Sequence, residues 1–476
     1  MSDEHQARAL GCADHAWIKT PHLDTLAERG TRFENAYTPS PICVPARAAF
    51  ATGRLVNKIR LWDNAMPYVG GIPGWGHALQ KADIPVHSIG KLHYRHESDP
   101  TGFDKEHMPM MVADGVGMVW ASIRDEAERA SPPSRMLGQY IGPGHSNYTQ
   151  YDAAVTDRTI QWLQQDAKDL GSPWCLFVGL VAPHFPLVVP QPFYDLYPAD
   201  LLPEPKLHPS EGYQRHPWVE KQNAYMDSES NFENDAEKRS ALASYYGLCS
   251  YLDDNIGKIL RALDETHLTE NTTIIYTSDH GDNAGARGLW GKSNLYEESS
   301  AIPLIMAGPG IPVGVCHTPV SLIDVSVSIA SHFNQSIDTD EEHGPAQGKA
   351  LKTVLNNPDQ DRLIFSEYHA AGAVSGAYMV RVGRWKYIHY VGFEPELFDL
   401  ENDPEELHDV AGLPANAAVI QTLHAKLSSI CDPEATNQQA LDDQAALVES
   451  YGGLKKALTL GAPGATPPPE LNPDDA

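Results

Sequence analysis

Three short apolar runs in this chain each stop at a cluster of polar, chemically capable residues, and this limits the fold more than any other feature. Residues 84–89 lead into Gly90-Lys91-Leu92-His93, residues 174–181 into Pro183-His184-Phe185-Pro186, and residues 272–277 into Ser278-Asp279-His280-Gly281-Asp282. A short continuous apolar run without alternation reads as a strand buried on both faces. Around them lie stretches of helical period: residues 151–165, and Tyr245, Leu248, Leu252, Ile256, Ile259 and Leu263, spaced three or four apart. Strands alternating with helices imply an α/β fold, a large mixed and mostly parallel sheet flanked by helices. Ligands in such sheets bind beyond the C-terminal strand ends, where these polar clusters fall.

At 476 residues the chain is too long for one small domain, and its pattern changes near residue 346. Residues 1–345 read as the catalytic α/β domain. In residues 346–460, four short strands (363–369, 377–382, 385–390 and 396–400) predict a smaller antiparallel sheet, with a helix at 417–430 packed on it. The Pro-rich, acidic tail 461–476 reads as disordered or as an arm onto a neighbouring copy, so a homo-oligomer is left open. Residues 108–148 read as a loop-like insertion near the site's mouth, and residues 187–235 as a surface excursion.

The net charge of −28 disfavours nucleic acid as a partner. No apolar run is long enough to span a membrane, and no signal peptide is visible, so no membrane partner is expected. Six scattered cysteines without framework spacing fit a reducing, cytoplasmic compartment. Against the acidic background, residues 47–60 carry Arg47, Arg54, Lys58 and Arg60 and no acid, and Lys91, His93, Arg95 and His96 form a second basic group. Such pockets suggest a small anionic substrate.

The loop Pro39-Ser40-Pro41-Ile42-Cys43 delivers a cysteine to the start of a helical run that Gly53 ends. Backbone N–H groups and the helix dipole favour negative charge there, and Arg47 can reach back one turn later. Cys43 is then either a thiolate of lowered pKa or the precursor of another group.

Cys43-x-Pro45-x-Arg47, closed by Thr52-Gly53-Arg54, resembles the signature of the type I sulfatases of the alkaline phosphatase superfamily. Thr20-Pro21-His22-Leu23-Asp24-Thr25-Leu26-Ala27 and Gly90-Lys91-Leu92-His93 are similar to further motifs of that family. The resemblance implies that Cys43 is oxidised by a maturation enzyme to formylglycine, whose gem-diol hydrate attacks the sulfur of a small organic sulfate monoester. It implies that Asp3, Glu4, Asp279 and His280, with residue 43, hold a divalent metal. Calcium is expected first, and the imidazole leaves manganese, magnesium or zinc open. Arg47 would hold the diol and the charge on the metal side, and Lys91 and Lys292 the sulfate oxygens. His184 or Lys292 would protonate the leaving alcohol, and His93 would take a proton as sulfate is expelled. In relatives the acidic pair follows a central first strand. That strand is absent here, so a truncated start is expected, with Asp3 at a fraying end.

Asp63-Asn64-Ala65, Gly285-Ala286-Arg287-Gly288-Leu289-Trp290 and Glu367-Tyr368 are similar to stretches of choline sulfatases. Asn64 and Glu367 become candidates for substrate contact, Glu367 equally for a structural strand residue. The rival readings are a phosphonate monoester hydrolase or phosphodiesterase on the same nucleophile, and an inactive anion-binding protein with Cys43 left as thiol.

Overall fold

The computed structural model describes residues 1–129, 135–170, 173–462 and 465–470. Three parallel strands pair in the order Lys105–Met110, Val86–Lys91, Cys175–Gly179. A second, mixed set runs Gly314–Cys316, Gly30–Phe33, Leu304–Ala307, Ile274–Thr277, with Leu304–Ala307 antiparallel to both neighbours.

The first residues of the chain lie between these two sets. The Met1 amino group donates to Val178 O (2.8 Å), and Ser2 N donates to Thr277 O (2.9 Å). Ser2 and Asp3 form parallel bridges to Ser278 and Pro183. Residues 1–3 thus run as a short extended segment parallel to both neighbours. Asp3 and Glu4 are fully buried at the sheet's C-terminal end, which corrects the expectation of a fraying Asp3.

Alternation along Leu304–Ala307 shows the layering. Ile305 and Ala307 face one core and Leu304 and Met306 the other. The first core packs under the helices Pro21–Glu28, Asn147–Gln161 and Asp235–Glu265. The last of these is 31 residues long, ten more at its start than its clearest apolar spacing marks, and is capped by Asn234 Oδ1 accepting from Glu237 N at 3.0 Å. The second core packs under Cys43–Thr52, Trp75–Gln80 and Leu322–His332.

Ile364–Tyr368, Ala377–Val382, Trp385–Tyr390 and Glu396–Asp399 form the expected antiparallel sheet in sequence order. The helix Ala417–Ser428 packs on one face through Leu423 and Leu427. The other face packs on Trp218, Leu289 and Tyr296.

Three expectations need correction. Lys105–Met110 is an edge strand reaching into the supposed loop; its proline is tolerated only because it lies at an edge. The helix Pro433–Ser450 is additional; it buries only Pro433, Ala440, Gln444 and Val448, too few for a clear period. In the tail, Thr466 is buried against the chain's own core, while residues 130–134 of the insertion and 471–476 of the tail lie outside the described residues. Among the described residues no helix is long and apolar enough to cross a membrane.

Candidate active site

Cys43 is the first residue of the helix Cys43–Thr52, which Gly53 closes in the left-handed conformation at φ 66°. Asn64 Oδ1 accepts from Val44 N at 3.1 Å, occupying one of the helix's free amides. Arg47, one turn on, is 1% exposed. Its Nε donates to Asp279 Oδ2 (2.8 Å), its Nη2 to Asp3 Oδ2 (3.0 Å) and its Nη1 to the Lys91 carbonyl (3.0 Å). One guanidinium thus fixes two carboxylates from distant parts of the chain. The Cys43 sulfur lies 3.2 Å from His280 Nε2 and 3.7 Å from Asp3 Oδ1. His280 Nδ1 lies 3.0 Å from the Gly281 carbonyl, which sets it as the protonated nitrogen and leaves Nε2 with its lone pair toward the sulfur.

The strand Val86–Lys91 carries a register shift at its end. Gly90 sits there at φ 97°, and a Cβ would meet the Gly179 carbonyl at 2.2 Å, so only glycine fits. Beyond it Lys91 Nζ pairs with Asp3 Oδ2 at 2.7 Å. His93, held at φ 61°, lines the same cleft, while Leu92 packs into the core with Tyr94. The expectation that Lys91 and His93 project together holds. His184 Nε2 lies 3.3 Å from Glu4 Oε2, and Lys292 Nζ donates to the same oxygen at 2.9 Å.

Burial raises the Cys43 thiol to about 12, and the Asp3 charge adds to this. The thiolate reading fails: desolvation outweighs the helix dipole, and at neutral pH residue 43 carries its proton. Burial also raises Asp3, but Lys91, His184, Arg47 and Lys292 together hold it well below the usual carboxylate range. Glu4 is raised to about 8 by burial, against the pull of Lys292. Burial lowers His93, helped by Lys91 and Arg47, and lowers His184, helped by Lys292, so both rings are neutral at pH 7.

The residues present fit a hard divalent cation. Ligand atoms of Asp3, Cys43, Asp279 and His280 all lie within 4.8 Å of one another, as do those of Asp3, Glu4 and His184. Glu4 Oε1 is buried and has no hydrogen-bond partner, so its lone pairs are free to meet a cation.

Above this base lies a cavity of about 60 Å³, lined by Cys43, Asn64, Lys91, His93, His184 and Lys292 and walled by apolar groups. A larger open trough of about 1090 Å³ elsewhere, lined by residues such as Arg8, Arg384 and Glu405, holds none of the converging side chains. Glu367 is corrected to its structural role. It is buried outside the cleft, accepting from Asn57 N at 2.7 Å and lying 3.1 Å from His369 Nε2. The basic islands divide as well. Arg54 serves backbone carbonyls including Thr52 and Asp338, Arg60 pairs with Asp443, and Arg95 pairs with Asp99.

Sequence reasoning missed Asp152, whose carboxylate accepts from Val181 N and Ala182 N, each at 2.7 Å, just before His184. It also missed Trp120, Tyr148 and Thr466 in the cleft wall. The aromatic content of the insertion was the available signal for the first two.

A family model described as Sulfatase matches residues 1–335, well over half of the chain, and one described as N-sulphoglucosamine sulphohydrolase, C-terminal, matches residues 285–432. The chain belongs to the sulfatase family. It is a sulfuric ester hydrolase. This sulfatase is 33% identical over 439 residues to choline-sulfatase of Rhizobium meliloti (strain 1021), covering 89% of the chain and 84% of that protein. It is 27% identical over 493 residues to arylsulfatase K of Danio rerio, covering 96% and 89%. Among solved structures, the phosphonate monoester hydrolase of Agrobacterium radiobacter superposes with a TM-score of 0.73 at 21% identity, covering 90% of this sulfatase and 94% of that chain. A phosphonate monoester hydrolase from Silicibacter pomeroyi does so with 0.71 at 23%, covering 90% and 93%. These likenesses establish the alkaline phosphatase-like fold.

Proposed function

We propose that this sulfatase hydrolyses a small organic sulfate monoester with residue 43 as formylglycine beside a bound divalent cation. The observation that carries the reading is the gathering of Cys43, Asp3, Asp279 and His280 within 4.8 Å at a helix start. Asp3, Asp279, His280 and Glu4 would hold the cation, calcium first on this oxygen-rich set. When bound, the cation supplies charge neutralisation, and the hydrated aldehyde of a converted residue 43 supplies an oxygen nucleophile with a second hydroxyl for release.

The chain's own groups do the rest. Arg47 keeps the two carboxylates from swinging apart. Lys91 and Lys292 bind sulfate oxygens and offset the charge that gathers on them during attack. Lys292, protonated, gives a proton to the departing alcohol, directly or through the neutral His184 beside it. His93, neutral and lining the same cavity, accepts the proton that leaves as sulfate is released.

Cys43 is 1% exposed, so conversion by a maturation enzyme has to precede closure of the fold. Choline sulfate and aryl sulfates, suggested by the relatives' names, are the first esters to test, with an aryl phosphonate ester as the rival substrate. Peptide mass spectrometry of protein co-expressed with a maturation enzyme should show residue 43 lighter by the loss of sulfur and two hydrogens against the gain of one oxygen. Sulfate release should track that fraction and vanish in Cys43→Ala at unchanged thermal stability. Full turnover by unconverted protein removes formylglycine from the reading, and a faster rate on the phosphonate ester removes the sulfate preference.

A further inference from the structure

The tail returns to the site it follows in sequence. Trp120 Nε1 donates to the Ala462 carbonyl at 3.0 Å, and Ala465 packs against the main core. Thr466, 5% exposed, places its hydroxyl 2.8 Å from His93 Nε2, and its carbonyl accepts from the Tyr148 hydroxyl. These are contacts to a candidate proton acceptor and to two aromatic residues of the wall, made by residues far from all of them in sequence. Ala465 and Thr466 both line the cavity over Cys43.

We propose that Ala465 and Thr466 form the roof of the alcohol subsite and restrict the ester to a compact alcohol of apolar surface. The inference rests on the sulfatase reading and adds the class of alcohol to it. Size is the first argument. The space beneath the roof is about 60 Å³, against roughly 300–1,000 Å³ for ordinary ligand pockets. Surface chemistry is the second. Beyond Lys91 and Lys292 the wall presents Met118, Trp120, Met226, Phe185 and Trp290, flat or adaptable apolar groups that suit methyl, methylene or aryl surface. The polar amide Asn294 in that wall is already engaged, donating to Asn283 and accepting from Tyr296 N. The remaining polar wall groups are Gln222, Asn223, Ser293 and Asn64, whose Oδ1 already accepts from Val44 N; they are too few for all the hydroxyls of a sugar ring, part of whose desolvation would go uncompensated. The roof also sets where His93 points, since the Thr466 hydroxyl holds Nε2 and leaves Nδ1 as the ring nitrogen without a partner.

The test compares matured full-length protein with Thr466→Gly and with a chain ending at Ala462. The compact probes are choline sulfate and isobutyl sulfate, the bulky probe is a coumarinyl sulfate, and the polar probe is a monosaccharide sulfate. The full chain should prefer at least one compact ester over both others. In the two variants kcat/KM for the coumarinyl ester should rise relative to the compact one by about tenfold, chiefly through KM. An unchanged ratio in Thr466→Gly and in the shortened chain, with turnover retained, overturns the roof while leaving the sulfatase reading intact. A monosaccharide sulfate turned over as well as the compact esters overturns the apolar restriction. If matured protein hydrolyses none of the sulfates, the sulfatase reading itself falls and the inference falls with it.

Discussion

Lys91 shows how much one side chain is asked to do here. Its ammonium is 2.7 Å from Asp3 Oδ2, with both groups almost without solvent contact, and it also faces the cleft. A buried pair of this kind contributes little net stability while intact, but breaking it strands a charge. In Lys91→Ala, Asp3 keeps Arg47 as a direct partner, so the fold should survive with a lowered Tm. Catalysis should suffer more, because in the proposed reaction Lys91 is one of the preorganised charges that bind the sulfate. The expected loss in kcat/KM is about 10²–10³-fold, shared between kcat and KM. Steady-state kinetics beside a thermal melt checks this; unchanged kinetics with a lowered Tm would reduce Lys91 to a structural counter-charge for Asp3.

At the scale of elements, the helix Asn147–Gln161 positions the catalytic strand end through one residue. Asp152 accepts from Val181 N and Ala182 N and so fixes the backbone from which His184 hangs. Asp152→Asn turns one acceptor into a donor facing an N–H. His184 should then shift while the anion-binding lysines stay, so kcat should fall with little change in KM. The loss should grow as the leaving alcohol becomes less acidic, because in the proposed reaction alcohols that need a proton depend on His184 and Lys292. A leaving-group series measures this slope, and a uniform loss across it would make Asp152 a stability residue only. Asp152 also marks where the sequence stopped being legible. Residues 174–181 and 272–277 announced themselves as unbroken apolar runs, and the clusters after them were read with their partners. A lone aspartate inside an amphipathic helix carries no sign that it caps a distant strand. Asp3 was read with doubt because a chain end normally frays, whereas the Ser2 bond to Thr277 and its own bridge to Pro183 hold it buried. Glu367 was left open between a ligand contact and a structural strand residue, and its strand turns it toward Asn57, the second of these. The roof residues Ala465 and Thr466 were hidden by composition, since a proline-rich acidic tail gives no periodicity to place it.

Across the whole molecule, the C-terminal sheet is joined to the segments leading into the strand Leu304–Ala307 by a buried charge cluster whose removal should be felt on both sides. Lys386, without solvent exposure, reaches Glu297 Oε1 at 2.9 Å and Glu406 Oε1 at 2.7 Å. Arg287 reaches Glu298 Oε2 at 2.9 Å and the Glu406 carbonyl at 2.9 Å. Burial raises the Glu297 carboxyl, but Lys386, Arg381 and Arg8 more than offset it, and the group lies below its ordinary 4.5. A carboxyl depressed in this way contributes stability that is present above 4.5 and lost as pH falls through the lower folded value. Lys386→Met keeps the length of the side chain and removes the charge. Burial then acts on Glu297 with less opposition, its folded pKa rises, and the sign of its contribution reverses: neutral pH becomes unfavourable because the stranded carboxylates stay ionised. The variant should lose about 3–5 kcal/mol at pH 7. In the unsubstituted protein both sheets should unfold in one transition, because the cluster ties them together. The deficit should shrink as pH is lowered toward 5, where the stranded carboxyls take up protons and no longer need a partner. Denaturant titrations of both proteins at pH 7 and pH 5, followed by tryptophan fluorescence, measure the difference. A deficit independent of pH would trace the loss to packing around the lysine stem instead of to its charge, and two separate transitions in the unsubstituted protein would show that the sheets are not held together by this cluster.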